Sequence, residues 1–240
     1  MSLAPPSNLP DTVALSESSQ HRDLSTIRMI HPYEDRYRRV YAAGARFWET
    51  PLPTEELVEF IKKAGIPRGS KVIEFGCGEG RDAIFLAKTG LDVTAVDIAP
   101  SAVERAREWA AEEGVQVNFQ VKDVREMKGI PGEYYDLGID IGCLQMFPEH
   151  QARRRYFAEA FRVLKPKAIY FLCNHAVLRK RDLEQQFGKE WVQPRAGELR
   201  PRRIVVDGEE KEIPLPVIAG HGFTKKTLTR ELQEAGFRII

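Results

Sequence analysis

The 240-residue chain predicts an α/β fold, a doubly wound and mostly parallel sheet with a helical segment before it and a lid insertion after it. Three observations carry this expectation. From Lys71 onward, short β-branched runs alternate with segments of helical apolar spacing. Glycines cluster where the first run meets the first helical segment, at Gly76, Gly78 and Gly80. The later runs, Tyr135 to Ile141 and Ala168 to Asn174, are apolar without alternation, as strands buried on both faces are.

Residues 1 to 25 are rich in Pro, Ser and Asn, lack the basic start and apolar middle of a signal peptide, and read as a disordered N-terminus. Residues 26–240 read as a single domain, with its core at 68–176, the lid insertion at 177–222 and a final helix and strand at 223–240. An aromatic-rich segment (Tyr33, Tyr37, Tyr41, Phe47, Trp48) precedes a helix from Thr54 to Ala64, with Thr54 as its N-cap. Lys71 to Phe75 is a strand. Arg81 to Thr89 is a helix halted at Gly90, and Leu91 to Val96 is the second strand. Pro100 to Glu113 is a helix between an N-terminal proline and Gly114, and Val115 to Val121 the third strand. Tyr135 to Ile141, His150 to Leu164 and Ala168 to Asn174 follow as strand, helix and strand. In the lid, Asp207-Gly208 joins two strand-like runs as a hairpin. Thr224 to Ala235 closes the pattern as a helix, and Gly236 to Ile240 reads as a strand cut short.

Composition narrows the function. With 36 basic and 35 acidic residues the formal net charge is +1, which disfavours dedicated nucleic-acid binding. No apolar run approaches the ~20 residues that span a bilayer, so no membrane partner is expected. Three cysteines (Cys77, Cys143, Cys173) make no disulfide framework and fit a cytoplasmic setting. Five histidines (His21, His31, His150, His175, His221) show no ligand spacing, so no metal is expected.

The stretch VIEFGCGEGRDAIFLA, Val72 to Ala87, carries the chemistry. Glycines between a strand and a helix N-terminus let a ligand approach the backbone. Gly78 to Ala83 also satisfies a dinucleotide fingerprint, with Asp97 at ribose-binding distance, so the spacing by itself leaves a nicotinamide cofactor open. Charge separates the readings: a pyrophosphate wants bare amides, whereas the ammonium of an amino-acid-bearing adenosyl ligand wants an acid, and Glu74 stands two residues before Gly76. Asp97 suits ribose hydroxyls, Ile98 an adenine face, and Asp123 with Val124 the adenine edge.

These residues resemble the class I S-adenosylmethionine-dependent methyltransferases over roughly Lys71 to Asn174. EFGCGEG, VDIAPSAV, KDV, YYDLGIDIGCLQMF and FRVLKPKA match in order. The resemblance implies a Rossmann-like methyltransferase fold with a seven-stranded type of sheet, whose last strand is either absent or cut short here. It implies S-adenosyl-L-methionine as cofactor, with S-adenosyl-L-homocysteine as product, held by Glu74, Gly76, Cys77, Gly78, Gly80, Asp97, Ile98, Asp123 and Val124. Asp140, at a strand end, falls where relatives line the methionine end of the cofactor. Trp48 and Phe47 either wall the site or pack the core. The Trp48 segment with PLPTEELVEF and DIGCLQMF looks most like the thiopurine and tellurite-resistance type.

Departures from the pattern are local. Leu164-Lys165-Pro166-Lys167-Ala168 replaces a turn that usually ends in two glycines, and Gln145 stands where many relatives carry His. His175, His221 and Asp140 are candidates for a catalytic base. The basic residues Arg179, Lys180, Arg181, Arg195, Arg200, Arg202 and Arg203 are interleaved with acids and read as a solvated lid. The expectation is methyl transfer to a small-molecule acceptor, a thiol or other soft nucleophile being slightly favoured because no base is obvious. The alternatives are a protein or other macromolecular acceptor, a non-catalytic cofactor-binding partner, and an NAD(P)-dependent oxidoreductase. A homodimer is left open.

Overall fold

Five apolar runs form the central sheet of the computed structural model, which describes residues 24–48, 51–177 and 195–240. They are β1 (Lys71–Phe75), β2 (Asp92–Asp97), β3 (Asn118–Val121), β4 (Tyr135–Ile141) and β5 (Leu164–Cys173). All are parallel, in the order β3-β2-β1-β4-β5, so the first strand in sequence lies in the middle. Two apolar layers cover it. On one face α2 (Glu55–Ala64), α3 (Arg81–Lys88) and α4 (Pro100–Glu112) press Leu57, Leu86 and Val103 against Val72, Val93 and Leu137. On the other, α5 (His150–Val163) and α6 (Lys225–Glu234) press Tyr156, Phe157 and Leu232 against Ile73, Phe75 and Val96. Burial on both faces is why β1, β2 and β4 show no alternation.

A third cluster makes a cap. Helix α1 (Leu24–Ala42) packs Val40 against Ile204, Val206 and Leu215 of a hairpin, β6 (Leu199–Val206) and β7 (Glu209–Pro216), with Phe47 between them. The hairpin turns at Asp207 (φ 53°) and Gly208 (φ 83°), the left-handed pair that a two-residue turn demands. Helix α1 is not among the helices read from the sequence, because Pro32 inside it reads as a breaker despite the helical spacing of Tyr33, Tyr37 and Tyr41.

Four expectations need correction. β3 starts at Asn118 instead of Val115, because the Val115 N–H closes α4 onto the Ala110 carbonyl at 3.0 Å. β5 starts at Leu164, directly after α5, with a register shift against Tyr135 and Leu137 that accommodates the missing glycines; Lys167 takes φ 71° there. Gly236 to Ile240 is not a strand: Phe237 turns inward against Phe161 and Tyr170, and its N–H bonds the Leu232 carbonyl. The sheet therefore has five strands among the described residues, not seven. Thr54 begins α2 but makes no side-chain cap; its N–H and hydroxyl both donate to Asp82 (2.7 and 3.0 Å), tying α2 to α3. The disordered N-terminus expected at 1–25 falls, up to residue 23, outside the described residues, as does the lid from 178 to 194 with Arg179, Lys180 and Arg181.

Candidate functional site

A cavity of about 560 Å³ opens at the carboxyl ends of the five strands, between the sheet and the cap. This is the crevice a parallel sheet leaves where its strand order reverses. Every strand contributes to its wall: Gly76, Cys77 and Gly78 follow β1, Ile98 follows β2, Lys122, Asp123 and Val124 follow β3, Gly142 and Cys143 follow β4, and Asn174 and His175 follow β5.

The glycine loop is shaped by close approach. A Cβ on Gly76 would stand 2.6 Å from the Cys143 sulfur, and one on Gly78 would stand 2.8 Å from the Tyr37 hydroxyl. Gly80 differs from the others, since it does not line the cavity. A Cβ there would meet the Phe119 ring at 2.8 Å and Ala106 at 2.9 Å, so Gly80 lets α3 and α4 close over β3.

Glu74 lies in the cavity wall at 3% exposure, and its Oε2 has no hydrogen-bond partner among the described residues. Burial pushes its carboxyl well above the usual range, and Asp82 and Asp97 add to the rise while Arg81 opposes it. Asp97 accepts from the Gly78 N–H (2.8 Å) and the Ala99 N–H (2.9 Å); burial raises its carboxyl and these amides pull it back. Asp123 also lines the cavity, but its two oxygens are held by Arg125. Cys77, buried, and Cys143, half-buried, both line the site, and desolvation pushes both thiols up.

Asp140 does not reach the cavity. It is fully buried beneath it, accepting from the Cys143 and Leu144 amides, the Tyr156 hydroxyl at 2.7 Å and the Asn174 amide at 3.1 Å. Burial lifts its carboxyl to about 6 against the pull of those donors. Asn174 in turn accepts from the Gln145 N–H, and Gln145 accepts from the His175 N–H through its side chain and from the His221 N–H through its backbone. Gln145, which the sequence marks only as a histidine missing, is thus the hub that joins β4 to β5.

The two histidine candidates separate. His175 lines the cavity at its exposed rim, whereas His221 lies outside the lining, edge-on to Phe223. Burial and Arg153 lower the His221 pKa. Phe47 and Trp48 both line the cavity, and Phe47 also joins the cap cluster; their N–H groups donate to Glu79, a buried acid in the glycine loop. Sequence reasoning misses Glu79, Arg36 and Arg202 as site residues, and names Tyr33 and Tyr37 only as members of the aromatic segment. The tyrosines at i and i+4 give a helical signal, but nothing in the sequence places either arginine at the cavity. Arg202 departs from the solvated lid: it lies against the Phe47 ring at 4.7 Å and lines the site, whereas Arg200 and Arg203 pair with Glu198 and Glu210. Among the described residues no group of acids, histidines and cysteines could hold a metal ion, and no helix is long and apolar enough to cross a membrane.

Comparisons with known proteins meet this geometry at the same residues. Residues 72–167 match the model of a methyltransferase domain. The chain is 30% identical over 140 residues to a ubiquinone biosynthesis O-methyltransferase of Xanthomonas axonopodis pv. citri, covering 55% of this chain and 57% of that protein. It is 35% identical over 177 residues to the S-adenosyl-L-methionine-dependent Diels-Alderase iccD of Talaromyces variabilis, covering 68% of this chain and 59% of the other. The chain thus spans a little under three fifths of the length of these relatives. A solved SAM-dependent methyltransferase of Methanosarcina mazei shares the fold, with a TM-score of 0.58, 23% identity, and coverage of 79% and 87%. The central sheet is that of a Rossmann-like methyltransferase. Residues 72–167 are thus similar to a methyltransferase domain, and S-adenosyl-L-methionine is the cofactor that this likeness implies.

Proposed function

We propose that this protein is an S-adenosylmethionine-dependent methyltransferase acting on a small-molecule acceptor. The observation that carries the reading is the buried, unpartnered Glu74 oxygen in the cavity wall beside the open glycine loop. A buried carboxylate oxygen left without a donor is costly unless a ligand supplies one, and the cofactor's ammonium group does. Asp97 would hold the ribose hydroxyls, Ile98 the adenine face and Val124 the adenine edge. Gly76, Cys77 and Gly78 would let the cofactor lie against the backbone, with Trp48 as its cover. Gly80 supports this set from behind.

The cofactor supplies an already activated methyl group, so the protein's part is alignment and exclusion of water. Asp140 holds the Cys143–Leu144 amides and Asn174, and so fixes the loop that faces the acceptor. The cap of α1 and the β6–β7 hairpin closes the opposite side. His175 is the imidazole available to take a proton from the acceptor, and its exposure suits it to one that ionises readily, such as a thiol or an acidic hydroxyl. The likeness to the thiopurine and tellurite-resistance type favours the thiol, with Trp48 on the wall; the name of the Xanthomonas relative favours oxygen.

Calorimetric titration with S-adenosylhomocysteine tests the reading. Tight binding to the wild type, weakened roughly tenfold to a hundredfold in Glu74→Gln, is expected for a lost charge-assisted contact. Binding of NADH in its place, indifferent to Glu74, would sink it. A second reading, raised by the name of the Talaromyces relative, is a reaction that retains the cofactor without transferring its methyl group. Formation of S-adenosylhomocysteine in step with acceptor loss separates the two.

A further inference from the structure

Arg36 on α1 and Arg202 on β6 share one aromatic ring. Their guanidinium carbons stand 5.5 and 4.7 Å from the centre of Phe47, and both side chains line the cavity. Each makes a single hydrogen bond to a backbone carbonyl, Arg36 to Pro216 at 2.6 Å and Arg202 to Phe47 at 3.2 Å. Neither is paired with a carboxylate among the described residues, although both are half-buried. The two cations feel each other's charge, offset by one carbonyl bond each and by stacking on the ring. Most of each guanidinium fork stays uncommitted.

The cavity's acids lie elsewhere. Glu74, Asp82, Asp97 and Asp123 all sit at the ends of β1, β2 and β3 or on the first turn of α3, where Arg81 already stands beside Asp82 at 3.2 Å. The glycine-loop end therefore has its own guanidinium for a cofactor carboxylate. Arg36 and Arg202 belong to the cap, on α1 and β6, and share the cavity lining with Tyr33, Met146 and Ile218.

We propose that Arg36 and Arg202 together bind a carboxylate of the methyl acceptor, so that the site takes small, flat organic acids. Paired guanidiniums match a planar carboxylate fork to fork, and a half-buried cation pair without counter-charge gains most from an anion of that shape. The aromatic and thioether lining accommodates the ring or chain that carries it. The assignment rests on the methyltransferase reading of the cavity and adds the acceptor's chemical class to it.

The test uses the full chain saturated with S-adenosylhomocysteine. Into it 2-mercaptobenzoate, 4-hydroxybenzoate and indole-3-acetate are titrated, each against its own methyl ester. At least one acid is expected to bind roughly tenfold or more tightly than its ester, the scale of one charge-assisted contact. Arg36→Gln and Arg202→Gln should remove that preference and leave S-adenosylhomocysteine affinity intact, while Arg202→Lys should keep part of it and guards against a cap that fails to fold. Esters that bind as well as the acids, acids that do not bind at all, or a preference untouched in the variants would each overturn the proposal. So would a comparable loss of S-adenosylhomocysteine affinity in the variants, which would give the pair to the cofactor. A wild type that does not bind S-adenosylhomocysteine instead removes the methyltransferase reading, and this inference with it.

Discussion

Single residues in this protein are pulled between burial and charge, and the pull sets pH dependences with definite signs. Asp140 is raised from 3.8 to about 6, so the folded state holds its proton where the unfolded chain releases it. Its contribution is fully present below about pH 4 and is lost as the pH rises toward 6, by up to roughly 3 kcal/mol. Unfolding in urea at pH 4 and pH 7 should therefore show a steeper loss in wild type than in Asp140→Asn; equal losses would refute the assignment. Glu74 carries the same sign for stability and the opposite one for binding. Its carboxylate is the form that meets an ammonium, so S-adenosylhomocysteine affinity should rise with pH and release a proton, and Glu74→Gln should flatten both, as calorimetry in buffers of different ionisation heat would read. Lys167 is strained differently. It holds φ 71° where a glycine would rest easily. Lys167→Gly should stabilise by about 0.5 to 1 kcal/mol in denaturant unfolding, the left-handed penalty less the added freedom of the unfolded chain.

At the scale of elements, glycines and ion pairs decide how helices meet the sheet. Gly80 touches packing and not the cavity, so Gly80→Ala should lower the unfolding midpoint by an amount worth roughly 2 kcal/mol while leaving cofactor affinity of the folded fraction near wild type. Arg153 of α5 and Glu231 of α6 form a buried pair with two contacts of 2.8 Å. Removing one partner in Glu231→Leu should cost about 3 to 5 kcal/mol, and adding Arg153→Leu should recover part of it in the same thermal assay. These elements were unevenly legible in the sequence. Strands β1 and β4 could be read to the residue, because burial on both faces leaves an apolar run and a glycine, Gly76 or Gly142, ends each one. The starts of β3 and β5 could not, since they depend on where α4 closes its last carbonyl and on how Lys167 turns without glycine. Gly236 to Ile240 has a strand's composition, and the pull of Phe161 and Tyr170 on Phe237 decides against one. The glycine loop and its acids were legible because their ligand-facing chemistry is local. Arg36 and Arg202 were not: 166 positions apart in the numbering of the chain, they meet only through the folded cap.

The whole molecule places a small, separately packed cap over a deeply buried sheet, and the two should differ in stability. Amides of α1 and the hairpin should exchange with solvent faster than those of β1 and β4 and gain protection when S-adenosylhomocysteine binds, as hydrogen-exchange mass spectrometry would resolve. Equal exchange in both layers would mean that cap and sheet open as one unit. The cavity wall, meanwhile, takes residues from the ends of all five strands, outermost β3 and β5 included. A molecule bound there acts as a clasp across the full width of the sheet, and its chemical potential becomes part of the fold's cohesion. At a hundred times its dissociation constant it would add about 2.7 kcal/mol. Supply of ligand would then govern how long the protein survives as well as how fast it works.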